Sequence, residues 1–193
     1  MKHYYCNPLN VDYLYQFNQQ GMGQQMGPVQ ISREAADPSM IYFKGKYYIF
    51  ASMTLGVWVS EDLAHWENKR LPDNLPFYDY APDVRVIGDY VYFCASKREE
   101  ICNFYRTKNI EEGPYEEIKG SFDFWDPHQF VDDDGRVYFY WGCANMTPIW
   151  GVEMDPETMH PKTERVELIY GNWNEVGYER NGEDHCDPPL SDE

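Results

Sequence analysis

Three aspartates stand at the start of short runs of apolar residues: Asp37, Asp83 and Asp126. Each has a proline as its neighbour in the sequence. An isolated aspartate before a strand more often caps a turn than takes part in chemistry. Carboxylates that are brought close together shift one another's pKa values, so that one stays ionised as a base while another is raised. The recurrence therefore favours a shared site for general acid–base chemistry.

A repeated hairpin pattern follows these aspartates and is expected to bring them together. The clearest copy is residues 125–142, in which two runs of β-branched and aromatic residues flank a turn that ends at Gly135. Such runs on either side of a glycine-containing turn are typical of a β-hairpin. The same plan follows Asp37 and Asp83, and successive aspartates are 46 and 43 residues apart.

A period of about 40 to 50 residues that carries only strand patterns is typical of a β-propeller blade. The sequence therefore predicts an all-β fold with about three blades of four strands each, whose first strands start at one axis. We predict one partial propeller domain over residues 1–193, made of an N-terminal arm (1–32), blade 1 (33–72), blade 2 (73–120), blade 3 (121–169) and the start of an incomplete fourth blade (170–193).

Three blades alone would leave an open axis and a long unpaired strand edge. Propellers avoid bare edges, because such edges pair with other chains. We therefore expect that further blades follow residue 193 in the complete protein, or that a partner chain closes the ring.

The composition restricts the class of partner. Lys and Arg number 16 against 33 Asp and Glu, for a net charge of −17, which repels both nucleic acid and anionic membranes. The 17 Tyr and 6 Trp agree either with the preference of these residues for strands or with stacking on sugar rings. Five cysteines with no C-x-x-C pair, and no signal-peptide pattern after Met1, predict reduced thiols in a cytoplasmic protein.

Three motifs resemble those of glycoside hydrolase family 43, a family of five-bladed β-propellers. They are R-E-A-A-D-P at 33–38, Y-A-P-D-V at 80–84, and W-D-P at 125–127 with the V-D-D-D-G-R-V-Y-F hairpin that follows. The resemblance covers about residues 30–170. Family members are inverting enzymes, mostly β-xylosidases, α-L-arabinofuranosidases and arabinanases. The resemblance thus implies hydrolysis of arabinose- or xylose-containing oligosaccharides or polysaccharides.

The resemblance also implies a role for each aspartate. Asp37 would be the general base that activates water, and Asp126 would orient the general acid and adjust its pKa. Asp83 would line the substrate site in a supporting role. This division fits inverting hydrolysis, in which one carboxylate activates water while a carboxylic acid protonates the leaving oxygen.

The general-acid glutamate of the family is not found where the pattern requires it. The only E-G-P motif begins at Glu112, which we expect in an outer turn of blade 2, far from the axis. The other candidates are Glu175, Glu179 and Glu193, in the unpatterned tail. We therefore expect the acid to lie beyond this chain.

Several further residues are candidates for contact with a sugar. They are Arg33, Tyr80, Phe124, Trp125 and His128, chosen because they flank the aspartates. Aromatic rings could stack on a sugar, and Arg33 could bind a hydroxyl group or pair with a carboxylate. No cofactor is predicted, and no metal: the D-D-D-G at 132–135 lacks the alternating spacing of a calcium loop, and nothing indicates a calcium ion on the axis.

Two functions from different classes remain open at this point. The first is a glycosidase. The second is a carbohydrate-binding or interaction propeller fragment that is inactive because the acid is absent. Propellers carry all of these functions, so the fold alone does not choose between them.

Overall fold

The computed structural model describes residues 11, 13, 35–72, 75, 80–97, 100–143 and 147–171. The predicted N-terminal arm, apart from residues 11 and 13, and nearly all of the predicted fourth-blade segment lie outside this range. Twelve strands and no helix occur in the described part of the chain. It accordingly contains no helix that is long and apolar enough to cross a membrane.

The strands form three antiparallel sheets of four strands each, as the repeated hairpins predict. Within each sheet the strands pair in chain order. The first sheet contains β1 (Ser39–Phe43), β2 (Lys46–Phe50), β3 (Gly56–Ser60) and β4 (Glu67–Arg70). The second contains β5 (Tyr80–Ile87), β6 (Tyr90–Ser96), β7 (Phe104–Thr107) and β8 (Glu116–Ile118). The third contains β9 (His128–Val131), β10 (Val137–Trp141), β11 (Ile149–Met154) and β12 (Val166–Ile169).

The first strand of each sheet lies innermost. Strand β5 contacts both β1 and β9, so the three first strands stand side by side around one axis, while the fourth strands lie outside. We refer to the sheets in chain order as blades 1, 2 and 3.

Two apolar cores join the blades, because successive residues of a strand point to opposite faces. On β6, Val91, Phe93 and Ala95 pack in the core between blades 1 and 2. Tyr92 and Cys94 lie in the core between blades 2 and 3. The middle blade is therefore buried on both faces, and this fixes the direction of its first strand relative to its neighbours.

A cluster of charges joins blades 1 and 2 at the end of the sheets where β1 turns into β2. Glu111, in the connection between β7 and β8, accepts hydrogen bonds from Lys46 (2.7 Å), Tyr48 (3.1 Å) and Lys69. Partial burial raises the pKa of Glu111, but the hydrogen bonds from the two lysines and the tyrosine outweigh it and lower the pKa to about 2.

Replacement of Glu111 by glutamine is expected to reduce stability at neutral pH. The pKa of Glu111 is lower in the folded chain, at about 2, than its ordinary value of 4.5. Its stabilising contribution is therefore present above about pH 4.5 and is lost as the pH falls through about 2. Urea unfolding at several pH values should show a gap between the two proteins at pH 7 that closes on acidification. Glu112→Gln, an exposed neighbour, serves as control, and a gap that does not change with pH would contradict the assignment.

Candidate active site

An open cavity of about 370 Å³ lies where the three innermost strands begin. Its walls are residues 37–40, 81–83 and 126–128, together with Arg85. Each blade thus contributes the segment that leads into its first strand. The structure brings Asp37, Asp83 and Asp126 to one cavity.

The residue before each proline has the same backbone conformation in all three blades. Asp37, Ala81 and Asp126 have φ angles of 50°, 49° and 48°, in the left-handed region that few residues other than glycine, asparagine and aspartate enter. They are 44 and 45 residues apart. Ala81 is therefore the blade-2 counterpart of the two aspartates. This corrects the expectation that the three aspartates occupy one repeated position, since Asp83 lies two residues further along its strand.

Asp37 is exposed to the cavity, and one of its oxygen atoms is held by a serine. The hydroxyl group of Ser52, just after β2, donates a hydrogen bond of 2.7 Å to Oδ2 of Asp37. Ser52 itself is only 2% exposed. A carboxylate that is fixed at one oxygen and open to solvent is suited to accept a proton from a bound water molecule.

Serines at the ends of two second strands join neighbouring blades. Oγ of Ser52 accepts a hydrogen bond of 2.7 Å from the backbone N–H of Ala81. Oγ of Ser96 accepts one of 2.9 Å from the N–H of Asp126. In each case the serine of one blade holds the residue before the proline of the next blade, so Ala81 and Asp126 are positioned by the packing of adjacent blades.

Asp83 differs from the other two aspartates because it is buried, with 4% exposure. Its Oδ2 accepts hydrogen bonds from the backbone N–H (2.7 Å) and Nε2 (3.2 Å) of Gln129 in blade 3. Its Oδ1 lies 3.4 Å from the hydroxyl group of Ser39 in blade 1. Asp83 therefore links all three blades. Burial, and then the charge of Asp83, raise the pKa of the adjacent Cys94 thiol well above its ordinary value.

Arg85 and His128 contribute a guanidinium group and an imidazole ring to the cavity wall. Among the described residues that line the cavity, Arg85 carries the only permanent positive charge. Its Nη2 lies 3.2 Å from Nε2 of His128, and its Nε donates to the carbonyl oxygen of Gln129. His128 is half exposed, and its Nδ1 is 3.5 Å from Oδ1 of Asp83. A substrate in the cavity would thus meet an arginine and a histidine as well as carboxylates.

The comparisons with known proteins agree with this geometry. Residues 28–183 match the family model described as glycosyl hydrolases family 43. The chain belongs to glycoside hydrolase family 43. The match confirms the family resemblance that the three aspartate motifs indicate.

Similar proteins of family 43 show how much of the fold is present. Xylosidase/arabinosidase 43A of Humicola insolens is 28% identical in an alignment of 171 residues, and the match covers 67% of this chain and 48% of that protein. An endo-arabinase of Bacteroides thetaiotaomicron superposes with a TM-score of 0.60 at 16% identity, covering 72% of this chain and 57% of that one. A thermostable family-43 glycoside hydrolase superposes with a TM-score of 0.59 at 23% identity, covering 77% and 57%.

These comparisons confirm a β-propeller of the family-43 type with about three blades in this chain. At such identity the solved structures show the fold alone. The chain spans about half the length of the curated relative that it matches, and little more than half of the two solved structures.

The aromatic candidates of this family-43 chain lie in two different places. Phe124 is only 3% exposed, and its ring packs against Phe104 and Phe139 in the core between blades 2 and 3. Its ring is not available to stack on a sugar, which corrects that expectation. Trp125 lines a neighbouring cleft, with Trp141 and Trp150, rather than the axial cavity.

The remaining candidates are placed only in part. Tyr80 begins β5, where it pairs with Ser96, but its side chain lies outside the described part of the chain. Arg33 lies outside it altogether, as do Glu175, Glu179 and Glu193. Glu112 lies in the β7–β8 connection and is exposed. The described cavity wall contains no glutamate, and the described residues contain no cluster of three or more His, Cys, Asp or Glu side chains that could hold a metal ion.

Three residues of the site were not predicted from the sequence: Ser52, Arg85 and Gln129. A signal for Ser52 was present, since Ala-Ser follows the second strand of blade 1 and ends that of blade 2. Arg85 interrupts an apolar strand, and a charge at such a position indicates a specific partner. Gln129 carried no comparable signal, because an isolated glutamine beside a strand is usually exposed.

Proposed function

We propose that the protein to which this chain belongs hydrolyses glycosidic bonds of arabinose- or xylose-containing oligosaccharides or polysaccharides, with inversion at the anomeric carbon. The observation that carries this proposal is the meeting of Asp37 and Asp126 at one axial cavity in a family-43 chain. Both residues have the same backbone conformation before a proline, so both carboxylates leave equivalent points of two blades.

The chemistry assigns different tasks to the two carboxylates. Asp37 accepts a proton from a water molecule as that water attacks the anomeric carbon. The glycosidic bond breaks on the other side of the ring, and a carboxylic acid protonates the leaving oxygen. Asp126 orients that acid and adjusts its pKa. The acid is a glutamate that we place outside the described residues.

The sugar is proposed from the chemistry of the family-43 relatives. The Humicola insolens protein is named a xylosidase/arabinosidase, and the Bacteroides thetaiotaomicron protein an endo-arabinase. An open cavity with Arg85, His128 and three aspartates in its wall offers both donors and acceptors to sugar hydroxyl groups. The net charge of −17 favours such an uncharged partner over nucleic acid or an anionic membrane.

The configuration of the first product tests the proposal. With 4-nitrophenyl α-L-arabinofuranoside we expect β-arabinofuranose as the first sugar seen by ¹H NMR, and with 4-nitrophenyl β-D-xyloside we expect α-xylose. Aryl glycosides are chosen because nitrophenolate leaves with little help from an acid. Release of the retained anomer would contradict the assignment of Asp37 as a base that acts through water.

One observation favours a second function of a different class. The described wall of the cavity contains no glutamate to act as general acid, and loss of acid catalysis typically costs about 10²- to 10⁴-fold in rate. A chain that binds xylo- or arabino-oligosaccharides in calorimetry, and yet releases nothing from either aryl glycoside, would be a carbohydrate-binding propeller rather than an enzyme.

A further inference from the structure

Ser52 is the only described residue that hydrogen-bonds to the Asp37 carboxylate and also to the neighbouring blade. Its hydroxyl group donates to Oδ2 of Asp37 at 2.7 Å, and its Oγ accepts the N–H of Ala81 at 2.7 Å. Its own N–H donates to the carbonyl oxygen of Ala36 at 2.9 Å. The serine is thus held at its backbone and at its side chain.

These contacts fix the direction of the hydroxyl hydrogen. A backbone N–H can only donate, so Oγ of Ser52 must act as acceptor toward Ala81. The single hydroxyl hydrogen is then free to point only to Asp37, which as a carboxylate is purely an acceptor. Among the described residues no donor contacts the other oxygen, Oδ1 of Asp37. Within the described part of the chain, Oδ2 therefore has a donor and Oδ1 has none, and Asp37 is exposed in the cavity wall.

We propose that Ser52 is a positioning residue for the general base. It holds Oδ2 of Asp37, so that Oδ1 faces the water that attacks the sugar. Because the same Oγ is bonded to Ala81, the orientation of the base in blade 1 depends on the docking of blade 2. This inference rests on the proposed function of Asp37.

The alternative is that Ser52 only joins blades 1 and 2. The equivalent positions of blades 2 and 3 contradict this alternative. In blade 2 the equivalent serine, Ser96, also accepts an N–H of the next blade, but the residue before the proline of its own blade is Ala81, which has no carboxylate. In blade 3 Gly142 takes this position, donating its N–H to the Trp125 carbonyl oxygen, and it has no hydroxyl group. In the described part of the chain, only blade 1 combines the serine with an aspartate.

The same comparison separates the two proposed catalytic carboxylates. Asp37 has a hydroxyl donor from its own blade, whereas the equivalent position beside Asp126 is Gly142. Asp37 and Asp126 therefore lie at equivalent points of two blades but have different neighbours. Different environments of this kind give two carboxylates of one site different chemical roles.

Ser52→Ala tests the proposal, with Ser60→Ala as a matched control. Ser60 is also a buried serine of blade 1 (3% exposed). Its Oγ accepts the N–H of Leu63 at 2.8 Å, and its hydroxyl group lies 3.2 Å from Oδ1 of Asp62. It therefore makes the same kinds of contact at the end of the blade opposite the cavity. Both changes remove one buried hydroxyl group and leave the same small space.

We expect Ser52→Ala to lower kcat for the aryl glycosides by about 10- to 100-fold, the range that a small misplacement of a catalytic group produces, with KM changed little. Ser60→Ala is expected to leave kcat unchanged, even if both variants melt at lower temperature. Equal effects of the two changes on kcat, after correction for the folded fraction, would overturn the proposal.

A crystal structure of the Ser52→Ala protein provides a readout that does not depend on turnover. We expect the Asp37 carboxylate to rotate away from the orientation described above while the blades stay in place. An unmoved Asp37 would overturn the inference about Ser52. Absence of turnover in the unmodified protein would instead count against the proposed function, and the position of Asp37 in the crystal would still decide the role of Ser52.

Discussion

Replacement of Asp37 by asparagine is expected to lower kcat by about 10³-fold or more, because general base catalysis typically contributes about 10²- to 10⁴-fold. The amide of asparagine cannot take a proton from water. Its carbonyl oxygen can still accept the hydrogen bond from Ser52 that Asp37 accepts at 2.7 Å. The change therefore removes the group that accepts the proton but keeps the hydrogen bond from Ser52. The melting temperature should accordingly change very little. Release of 4-nitrophenolate measures kcat.

A matched control for Asp37→Asn is Asp89→Asn. Asp89 is an exposed aspartate in the turn between β5 and β6, and its nearest ion partner is Lys108 at 3.9 Å. It lies at the opposite end of blade 2 from the cavity, so kcat should be unchanged. If both variants kept full activity, Asp37 would not be the base.

Azide distinguishes loss of the base from a general disturbance of the site. In an Asp37→Ala protein, azide can enter the space of the carboxylate and attack the anomeric carbon in place of water. The bond from carbon to nitrogen forms as the bond to nitrophenolate breaks, which gives a glycosyl azide of inverted configuration and needs no base. We expect azide to restore nitrophenolate release in this variant. No recovery, or an azide product of retained configuration, would contradict the assigned role.

The repeated hairpins could be predicted from the sequence because strand patterns are local. Alternating apolar residues and a glycine-containing turn determine a hairpin within about fifteen residues, and the structure has β9 and β10 where residues 128–141 predict them. Asp37 and Asp126 could be found in the same way, since each is followed by proline at the start of a first strand.

The contacts between blades could not be predicted, because they join residues that are far apart in the chain. Ser52 and Ala81 are 29 residues apart, and no local pattern relates them. No local pattern reveals the backbone conformation of Ala81 either, so the sequence predicts Asp83 as the blade-2 member of the repeat. Phe124 looked like a sugar-binding ring beside Asp126, but the packing of blade 2 on blade 3 buries it.

The interior position of Asp83 gives the second large effect that we expect. Asp83→Ala should lower the free energy of unfolding by about 3 kcal/mol, because an unpaired buried donor costs about 1–3 kcal/mol and the change leaves the N–H of Gln129 without its acceptor. Nε2 of Gln129 loses the shortest of its contacts and keeps the backbone carbonyl oxygen of residue 83 at 3.4 Å. Gln129 is fully buried, so in the unmodified protein its donors depend on protein acceptors rather than on solvent. For a chain of this size the melting temperature should fall by roughly 6–12 °C.

Further variants show whether Asp83 holds the blades together or binds the sugar. Asp83→Asn retains one acceptor for the N–H of Gln129 and should be less destabilising, whereas Asp133→Ala, in the exposed β9–β10 turn, should have no effect. Asp83→Ala should cost less in a Gln129→Leu background than in the unmodified protein, since the hydrogen bond from Nε2 to the carboxylate is then already absent. If Asp83→Ala melted like the unmodified protein and only weakened the binding of oligosaccharide, Asp83 would be a substrate contact and its hydrogen bonds to Gln129 would contribute little to folding.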